Sequence, residues 1–200
     1  MKFLLMLLAV IQLAACSSVP QQTPVDDPVS KWQQNQLLNK QINQWKLSGR
    51  VAIINGHESW HFDINWQQKD KTYLIDMAGP FGAGHAQLMG SPHGVLLREG
   101  NNTETYAINP DDLLLEQTGL TMPISGLIYW VKGLVDENAP VKHQKLNNFG
   151  YLAELKQSGW HVKFKRYTDI RKHTLPEKIF IDGHNVKVKL IIDQWNLDTP

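Results

Sequence analysis

The chain has 200 residues, of which 42% are apolar, 20% are charged and one is a cysteine, and its formal net charge is +1. This composition is typical of a single globular domain and excludes low-complexity, collagen-like and strongly charged nucleic-acid-binding tails. A single cysteine excludes a disulfide within the chain. The one long apolar run, from Phe3 to Ala15, is shorter than the ~20 residues of a membrane-spanning helix.

Residues 1–15 have the pattern of a signal peptide. Lys2 precedes the apolar run, and small residues stand just before Cys16 in Leu13-Ala14-Ala15-Cys16. That tetrapeptide resembles the lipobox of bacterial lipoproteins, which implies that Cys16 becomes the first mature residue and carries acyl chains. The alternative is an ordinary secretory signal with an incidental cysteine. Ser17 in place of Asp resembles lipoproteins that are sent on to the outer membrane.

Residues 16–29 are predicted to be the lipidated cysteine and a flexible tether. Three prolines, at positions 20, 24 and 28, stand among Ser, Gln, Thr and Asp residues that have little apolar surface to bury. The folded part is therefore expected to be a single domain, residues 30–200.

A helix is predicted at the start of this domain. Ser30 followed by Gln33 fits a capping box, in which each side chain bonds a free backbone N–H at the helix start. Leu38, Ile42 and Trp45 are spaced to form one apolar stripe.

Beyond this helix the apolar residues alternate with polar ones, which predicts half-buried β-strands. Short strands separated by turn residues such as Asn55-Gly56 and Asp182-Gly183 predict an antiparallel meander. The predicted strands are Gly49 to Ile54, Trp60 to Trp66, Tyr73 to Met77, Gln87 to Met89, Val95 to Arg98, Thr105 to Ile108, Tyr151 to Leu155, Trp160 to Phe164, Ile179 to Ile181 and Val186 to Ile192.

Two helices are predicted to interrupt the meander. The first has Asn109 as its cap, Pro110 as its first residue and Gly119 after its last turn. The second runs from Pro123 to Gly133. Because strands and helices do not alternate along the chain, a parallel sheet is not expected.

About ten strands with one apolar face must either close on themselves or curve around something. The inward side chains are unusually aromatic, and a well-filled core or a lipid-sized cavity would both explain them. The candidates for this lining are Trp60, Phe62, Ile64, Trp66, Tyr73, Ile75, Met77, Trp130, Trp160 and Phe164.

Several short motifs follow one another over about residues 30–197. They are Trp45-x-Leu47-x-Gly49-Arg50-x-Ala52, Trp60-x-Phe62-x-Ile64-x-Trp66-Gln67, Gly79-Pro80-Phe81-Gly82, Gly119 to Pro123 with Leu127, Trp130 and Gly133, Gly159-Trp160, Leu175-Pro176, and Lys187-x-Lys189-Leu190 before Trp195. Their order resembles the outer-membrane lipoprotein receptor family LolB. The resemblance implies an incomplete antiparallel β-barrel with a helical lid and a hydrophobic cavity. It also implies that the protein accepts lipoproteins from the periplasmic carrier LolA and places them in the inner leaflet of the outer membrane.

The motif Gly79-Pro80-Phe81-Gly82 predicts a sharp turn with an aromatic side chain at its tip. An exposed apolar tip is unfavourable unless it enters a membrane or a partner. In the LolB family the corresponding loop presents a leucine used in membrane insertion, so the resemblance implies that role for Phe81. The alternative is that Phe81 folds back into the core.

The charges divide unevenly along the chain. Residues 16–141 hold 8 basic and 13 acidic side chains, whereas residues 142–189 hold 11 basic and 4 acidic ones. The basic segment is either an ordinary solvated surface or a surface that meets lipid headgroups or an acidic partner.

An enzyme is not expected. His57, His61 and Asp63 share one strand phase, but their spacing suits a solvated face better than a metal site. No common catalytic motif is present, so we expect no catalysis, metal or cofactor. The expected partners are a LolA-type carrier, client lipoproteins and outer-membrane lipid, with no nucleic acid, for a lipid-anchored monomer that faces the periplasm. The alternative function is an anchored envelope scaffold with a solid core.

Overall fold

Eleven strands and three helices make up the part of the chain that the computed structural model describes, residues 24–80 and 84–197. The helices are α1 (Pro28–Lys40), α2 (Pro110–Thr118) and α3 (Ile124–Trp130). The strands are β1 (Gln44–Asn55), β2 (Glu58–Lys69), β3 (Thr72–Ala78), β4 (His85–Ser91), β5 (Gly94–Glu99), β6 (Glu104–Ala107), β7 (Val141–Leu146), β8 (Leu152–Gln157), β9 (Trp160–Ile170), β10 (His173–Gly183) and β11 (Val186–Asn196).

The strands form one antiparallel sheet in the order β6-β5-β4-β3-β2-β1-β11-β10-β9-β8-β7. β6 and β7 lie at its two edges and do not pair with each other in the described part of the chain, so the barrel is not closed. The prediction of a mainly β fold with an unclosed antiparallel sheet and additional helices is confirmed.

The alternation of apolar and polar residues correctly predicts most strands of the sheet. In β2 the even-numbered residues from Trp60 to Trp66 are half-buried or buried, while the odd-numbered residues between them are exposed. β7 is the strand that the sequence analysis missed. Its residues Val141–Leu146 are exposed except for the last, because β7 is an edge strand with no apolar face to bury.

The hairpin turns lie at two opposite ends of the sheet. The β1–β2, β3–β4, β5–β6, β8–β9 and β10–β11 connections share one end, which we call the loop end because residues 79–84 lie there. α1 lies at the opposite end. The side-chain amide of Asn35 donates to the Gly150 carbonyl at 3.4 Å, and that of Asn39 donates to the Thr174 carbonyl at 3.0 Å.

The start of α1 corrects the predicted capping box. The carboxylate of Asp27, rather than Ser30, caps the helix and accepts from the backbone N–H groups of Val29 and Ser30, both at 3.1 Å. Pro28 then occupies the first helical turn, where its missing N–H costs nothing. The predicted boundary of the folded domain also moves, because the Val25 N–H donates to the Asn148 carbonyl at 2.9 Å. The ordered contacts therefore begin before residue 30.

The predicted apolar stripe of α1 is wrong. Its buried side chains are Asn35 and Asn39, and Leu37 is 65% exposed. Trp45 belongs to β1 instead, where its ring packs 5.2 Å from Trp66 between ring centroids. Trp45 lies three residues after Ile42, so it continues the helical spacing by coincidence although it already belongs to β1. The periodicity therefore assigned this tryptophan to the wrong element.

α2 and α3 begin and end close to their predicted positions. The side chain of Asn109 accepts from the backbone of Asp111 at 2.8 Å, and Gly119 ends α2 with a φ of +71°. Leu113 on α2 and Trp130 on α3 belong to the hydrophobic core. Neither these two helices nor α1 is long and apolar enough to cross a membrane, and no other helix lies within residues 24–80 and 84–197.

Candidate functional site

An apolar cavity of about 370 Å³ lies between one face of the sheet and helices α2 and α3. That volume is at the lower end of the ~300–1,000 Å³ typical of small-molecule pockets. Its lining is almost entirely hydrocarbon, with His85, Glu99 and Thr118 as polar members. The lining residues are Val51, Ile53, Trp60, Phe62, Ile64, Trp66, Ile75, Met77, Gly84, His85, Ala86, Leu88, Leu97, Glu99, Leu114, Thr118, Leu120, Met122, Ile124, Leu127, Val188 and Leu190.

Six of the ten predicted lining residues lie at this cavity, and all six come from two neighbouring strands. β2 and β3 pair with Trp66 opposite Ile75 and Ile64 opposite Met77, so their inward side chains form adjacent rows. The six are Trp60, Phe62, Ile64, Trp66, Ile75 and Met77.

The other four predicted lining residues, Tyr73, Trp130, Trp160 and Phe164, do not reach the cavity and pack elsewhere. The Tyr73 ring covers Gly90, where an added Cβ would lie 2.1 Å from the ring. Trp130 is fully buried, and its indole N–H donates to Gln157 Oε1 at 3.1 Å.

Trp160 and Phe164 belong to the packed part of the interior. The Trp160 ring packs against His184 with 4.9 Å between ring centroids, and the Phe164 ring lies 6.2 Å from that of Tyr167. Strand phase correctly indicates that both side chains point inward, but it does not indicate whether space remains in front of them.

Several lining residues were missed because the sequence analysis nominated mainly aromatic positions. β1 contributes Val51 and Ile53, which lie opposite Phe62 and Trp60 of β2. The alternation that predicted β1 and β11 contained this signal. Val188 and Leu190 of β11 lie opposite Ile53 and Val51 of β1, which in turn lie opposite the nominated aromatics of β2. β4 and β5 contribute Leu88 and Leu97, which lie on strands that the alternation predicted. No strand pattern predicts the lining residues of α2, α3 and the segment between them.

A half-buried carboxylate joins the two helices that cover the cavity. Asp111 in the first turn of α2 accepts through Oδ1 from the backbone N–H of Ser125 at the start of α3, at 3.0 Å. Burial raises the pKa of Asp111, and the hydrogen bonds from Ser125 oppose that shift. Asp111 therefore supplies the cap that α3 lacks from its own N-cap residue, Pro123.

The predicted membrane loop begins and ends beside this cavity. The Gly79 N–H donates to the Gly84 carbonyl at 2.9 Å, which closes the base of the loop, and Gly84 itself lines the cavity. Pro80 is exposed and borders a groove on the opposite face of the sheet with His61 and Lys189. Phe81 and Gly82, like the predicted lipidation residue Cys16, lie outside the described residues.

The residues considered for a metal site lie on the outward face of the sheet. His61 and Asp63 of β2 are exposed, opposite Ala52 and Arg50 of β1. Within residues 24–80 and 84–197, no three His, Cys, Asp or Glu side chains come together in an arrangement that would hold a metal ion.

Residues 43–195 match the protein family described as Outer membrane lipoprotein LolB. The chain belongs to the LolB family. It is 35% identical over 193 residues to the outer-membrane lipoprotein LolB of Nitrosococcus oceani, a match that covers 96% of both chains. The resemblance to the LolB family that the sequence motifs indicated is thereby confirmed.

Solved structures share the fold at much lower identity. A domain from Vibrio parahaemolyticus, described as belonging to an outer membrane lipoprotein-sorting protein, has a TM-score of 0.57 at 7% identity and covers 86% of this chain and 92% of its own. A LolA superfamily protein from Nitrosomonas europaea has a TM-score of 0.51 at 8% identity, over 89% of this chain and 96% of its own. The unclosed barrel of this LolB family member is thus similar to the fold of LolA superfamily proteins.

Proposed function

We propose that this protein receives lipoproteins from a LolA-type periplasmic carrier and inserts them into the inner leaflet of the outer membrane. The observation that carries the proposal is the apolar cavity of about 370 Å³ beneath α2 and α3, whose rim includes the base of the 79–84 loop. Membership of the LolB family supports the same role.

The cavity supplies what an acyl chain needs in water. Each methylene group removed from water is worth about 0.8 kcal/mol, so an exposed chain is strongly driven into any hydrocarbon-lined space. The side chains that β1, β2 and β11 turn toward the cavity are hydrocarbon or aromatic, and no buried charged group competes for that space.

The same cavity is suited to release. A bilayer surrounds an acyl chain completely, whereas a partly open cavity of this size leaves part of a chain less well packed. Transfer from the protein to the membrane is then downhill without another energy source. It is a partition between hydrophobic environments in which no covalent bond changes, so the proposed role requires no catalytic group and no cofactor.

The loop Gly79-Pro80-Phe81-Gly82 is proposed to enter the bilayer during delivery. Its base is closed by the bond between Gly79 and Gly84, and Gly84 lines the cavity, so the loop is attached to the sheet beside the cavity. An aromatic tip at this position would open a path into the lipid next to the stored chain.

Cys16 is proposed to carry the acyl anchor that keeps the domain at the outer membrane, facing the periplasm. Two or more acyl chains bind a bilayer effectively permanently, whereas one binds marginally. The proposed role needs only one copy of the chain, because one chain supplies the lining of the cavity.

The decisive experiment measures uptake of a fluorescent fatty acid by residues 17–200, which contain every residue of the hydrophobic core. Met77→Glu places a charge in the cavity lining, and we expect at least a tenfold weaker uptake. Met89→Glu is the matched control, since Met89 is equally half-buried but lies outside the cavity lining. Competition of the probe by a LolA-type carrier loaded with lipoprotein tests the transfer itself.

The scaffold alternative predicts a different outcome. If the unaltered domain takes up no probe, or if both methionine variants lose uptake equally, the cavity does not hold hydrocarbon and the receptor proposal fails.

The role of the loop is tested separately with Phe81→Glu. We expect this variant to accept lipoprotein from the carrier as the unaltered protein does but to deliver it poorly into liposomes. Equal loss of uptake and delivery, or no loss of either, would contradict the assignment of Phe81 to membrane insertion.

A further inference from the structure

The convex face of β8–β11 carries a row of lysines close to the loop end. Cross-strand register places Lys189 of β11 opposite Phe180 of β10, and Phe180 opposite Lys163 of β9. In the next row, nearer the turns, Lys187 of β11 lies opposite Asp182 of β10. Lys156 of β8 completes this set, which we call the cationic rim: Lys156, Lys163, Lys187 and Lys189.

Most of this positive charge is not neutralised within the protein. Within residues 24–80 and 84–197, no carboxylate lies within 4.0 Å of the amine of Lys156, Lys187 or Lys189. Two acidic residues lie in the same cross-strand rows as the four lysines: Asp182 lies beside Lys187, and Glu154 lies opposite Lys163 while pairing with His161 at 3.1 Å. Elsewhere on these strands, Asp193 and Glu177 are paired with Arg50 and Arg166. The four lysines therefore exceed their acidic neighbours.

Apolar side chains are interleaved with these lysines. Phe180 is half-buried between Lys189 and Lys163, and Ile54 of β1, which lies opposite Lys187, is 43% exposed. Lysine with adjacent exposed aliphatic and aromatic groups is the composition expected of a surface that meets the headgroup region of a bilayer.

The cationic rim is next to the proposed insertion loop. Pro80 and Lys189 border the same groove on the convex side of the sheet. A bilayer that receives the tip of this loop would therefore lie close to Lys189 and Lys187.

The anchor imposes a compatible geometry. Val25 is held at Asn148, at the end opposite the loop. The nine residues from Cys16 to Val25 reach at most about 30 Å when fully extended. β1 alone is about 40 Å long, from its 12 residues at ~3.4 Å each. By these lengths, a domain standing upright on its loop would hold Val25 farther from the membrane than the tether reaches, whereas a domain inclined onto its convex face lets both the anchor and the loop reach one membrane.

We propose that the cationic rim binds the anionic phospholipid headgroups of the bilayer and inclines the domain so that the 79–84 loop meets the membrane. This proposal adds a headgroup-binding surface to the proposed function. It rests on that function only for the position of a bilayer beside the loop. Binding is electrostatic at the rim and hydrophobic at the loop, so salt weakens the first contribution and leaves the second.

The test compares three forms of residues 17–200 by co-sedimentation with vesicles of phosphatidylethanolamine and phosphatidylglycerol, and with vesicles of phosphatidylcholine. The first form is unaltered and the second carries Lys156→Gln, Lys187→Gln and Lys189→Gln. The third, the matched control, carries Lys46→Gln, Lys69→Gln and Lys71→Gln, which remove the same charge from exposed positions toward the opposite end of the sheet.

Each lysine near an anionic surface contributes about fivefold to binding, so the rim variant is expected to bind the phosphatidylglycerol vesicles about a hundredfold more weakly at low salt. The control variant should bind within about threefold of the unaltered chain, and phosphatidylcholine vesicles should not distinguish the three forms. If both variants lose the same amount of vesicle binding, the loss depends on net charge and not on the position of the lysines, and the proposal is wrong.

A remaining outcome would assign the rim to a protein. If the rim variant binds vesicles normally but accepts lipoprotein from the carrier more slowly, the lysines recognise an acidic partner and the membrane proposal is wrong. Uptake of the fluorescent fatty acid, measured on the same three forms, reports separately on the proposed function. Its absence in the unaltered chain would contradict that function, while the vesicle comparison would still test the rim.

Discussion

The two halves of the sheet differ in how their inner faces are covered. On β3, β4 and β5 the inward residues Ile75, Leu88 and Leu97 line the cavity. On β8, β9 and β10 the inward residues Leu155, Val162 and Ile179 are completely buried, and none of them lines the cavity. We call these the open half and the filled half.

One tryptophan accounts for much of this difference. Trp130 at the end of α3 is completely buried, and its indole N–H donates to Gln157 at the end of β8. The Gln157 side chain also accepts from the Asp136 N–H at 3.1 Å and donates to the carbonyls of Asp136 and Ala139. α3 and the segment after it are therefore fixed to the filled half, whereas α2 is joined to α3 through Asp111, which accepts from the Ser125 N–H.

Stability and adaptability are thus separated between the two halves of one sheet. A close-packed region tolerates neither loss nor gain of volume, whereas a region facing a void tolerates both better. The filled half can hold the fold together while the open half accepts a guest.

The largest expected effect comes from removing the tryptophan that covers the filled half. Trp130→Ala should lower the free energy of unfolding by about 3–5 kcal/mol, because it creates a cavity and removes one of the two hydrogen bonds that Gln157 Oε1 accepts. Trp60→Ala, at a half-buried position that already faces the void, should cost about 1–2 kcal/mol. Urea denaturation of both variants measures the difference, and equal losses would show that the two halves are equally packed.

A smaller effect is expected from adding volume to each half. Leu155→Phe should destabilise the protein by about 1–3 kcal/mol, since Leu155 is completely buried in the filled half. Leu88→Phe, equally buried but lining the cavity, should change stability by less than about 1 kcal/mol and reduce uptake of the fluorescent fatty acid. If Leu88→Phe is the more destabilising change, the cavity does not provide usable space.

The smallest expected effect concerns the contact between α2 and α3. Asp111→Ala removes the acceptor for the Ser125 N–H and should cost about 1 kcal/mol in unfolding free energy. Asp111→Asn keeps an acceptor and removes the half-buried charge, so it should be at least as stable as the unaltered protein at neutral pH.

The pH dependence of these variants follows from the raised pKa of Asp111. A carboxyl group whose pKa is higher in the folded than in the unfolded state lowers stability as the pH rises from its unfolded pKa through its folded pKa. The advantage of Asp111→Asn should therefore grow across that interval and vanish at lower pH. Asp112→Asn on the exposed side of α2 is the control. Thermal melts of both variants across the acidic range measure the pH dependence of stability. If the two variants respond identically to pH, the burial of Asp111 has no effect on stability.

Much of the fold was predictable because its signals are local. β2 and β9 alternate large apolar and polar residues, and this period survives in any tertiary arrangement that buries one face. α2 was equally predictable, since Asn109, Pro110 and Gly119 act within one turn of the helix ends. β7 and the start of α1 were not, because an edge strand lacks an apolar face and Asp27 was assigned to the tether.

The candidate site was only half predictable. Trp66 and Phe164 have the same strand phase and a similar apolar character, yet one lines the cavity and the other packs in the filled half. The difference lies in what faces each side chain: a void lies between β2 and helices α2 and α3, whereas Phe164 of β9 packs beside Tyr167. No periodicity within β2 or β9 carries that information.

Residue order alone therefore defines the inward and outward faces of the strands and the turns between them, because each depends on neighbours close along the chain. It also defines membership of the LolB family, through the order of motifs along nearly the whole chain. The position of the void, the attachment of α3 to Gln157 and the grouping of lysines from β8, β9 and β11 arise from contacts between residues far apart in sequence. Those contacts depend on how the helices fill the concave side of the sheet, since a volume is left empty or filled only once all of its walls are in place.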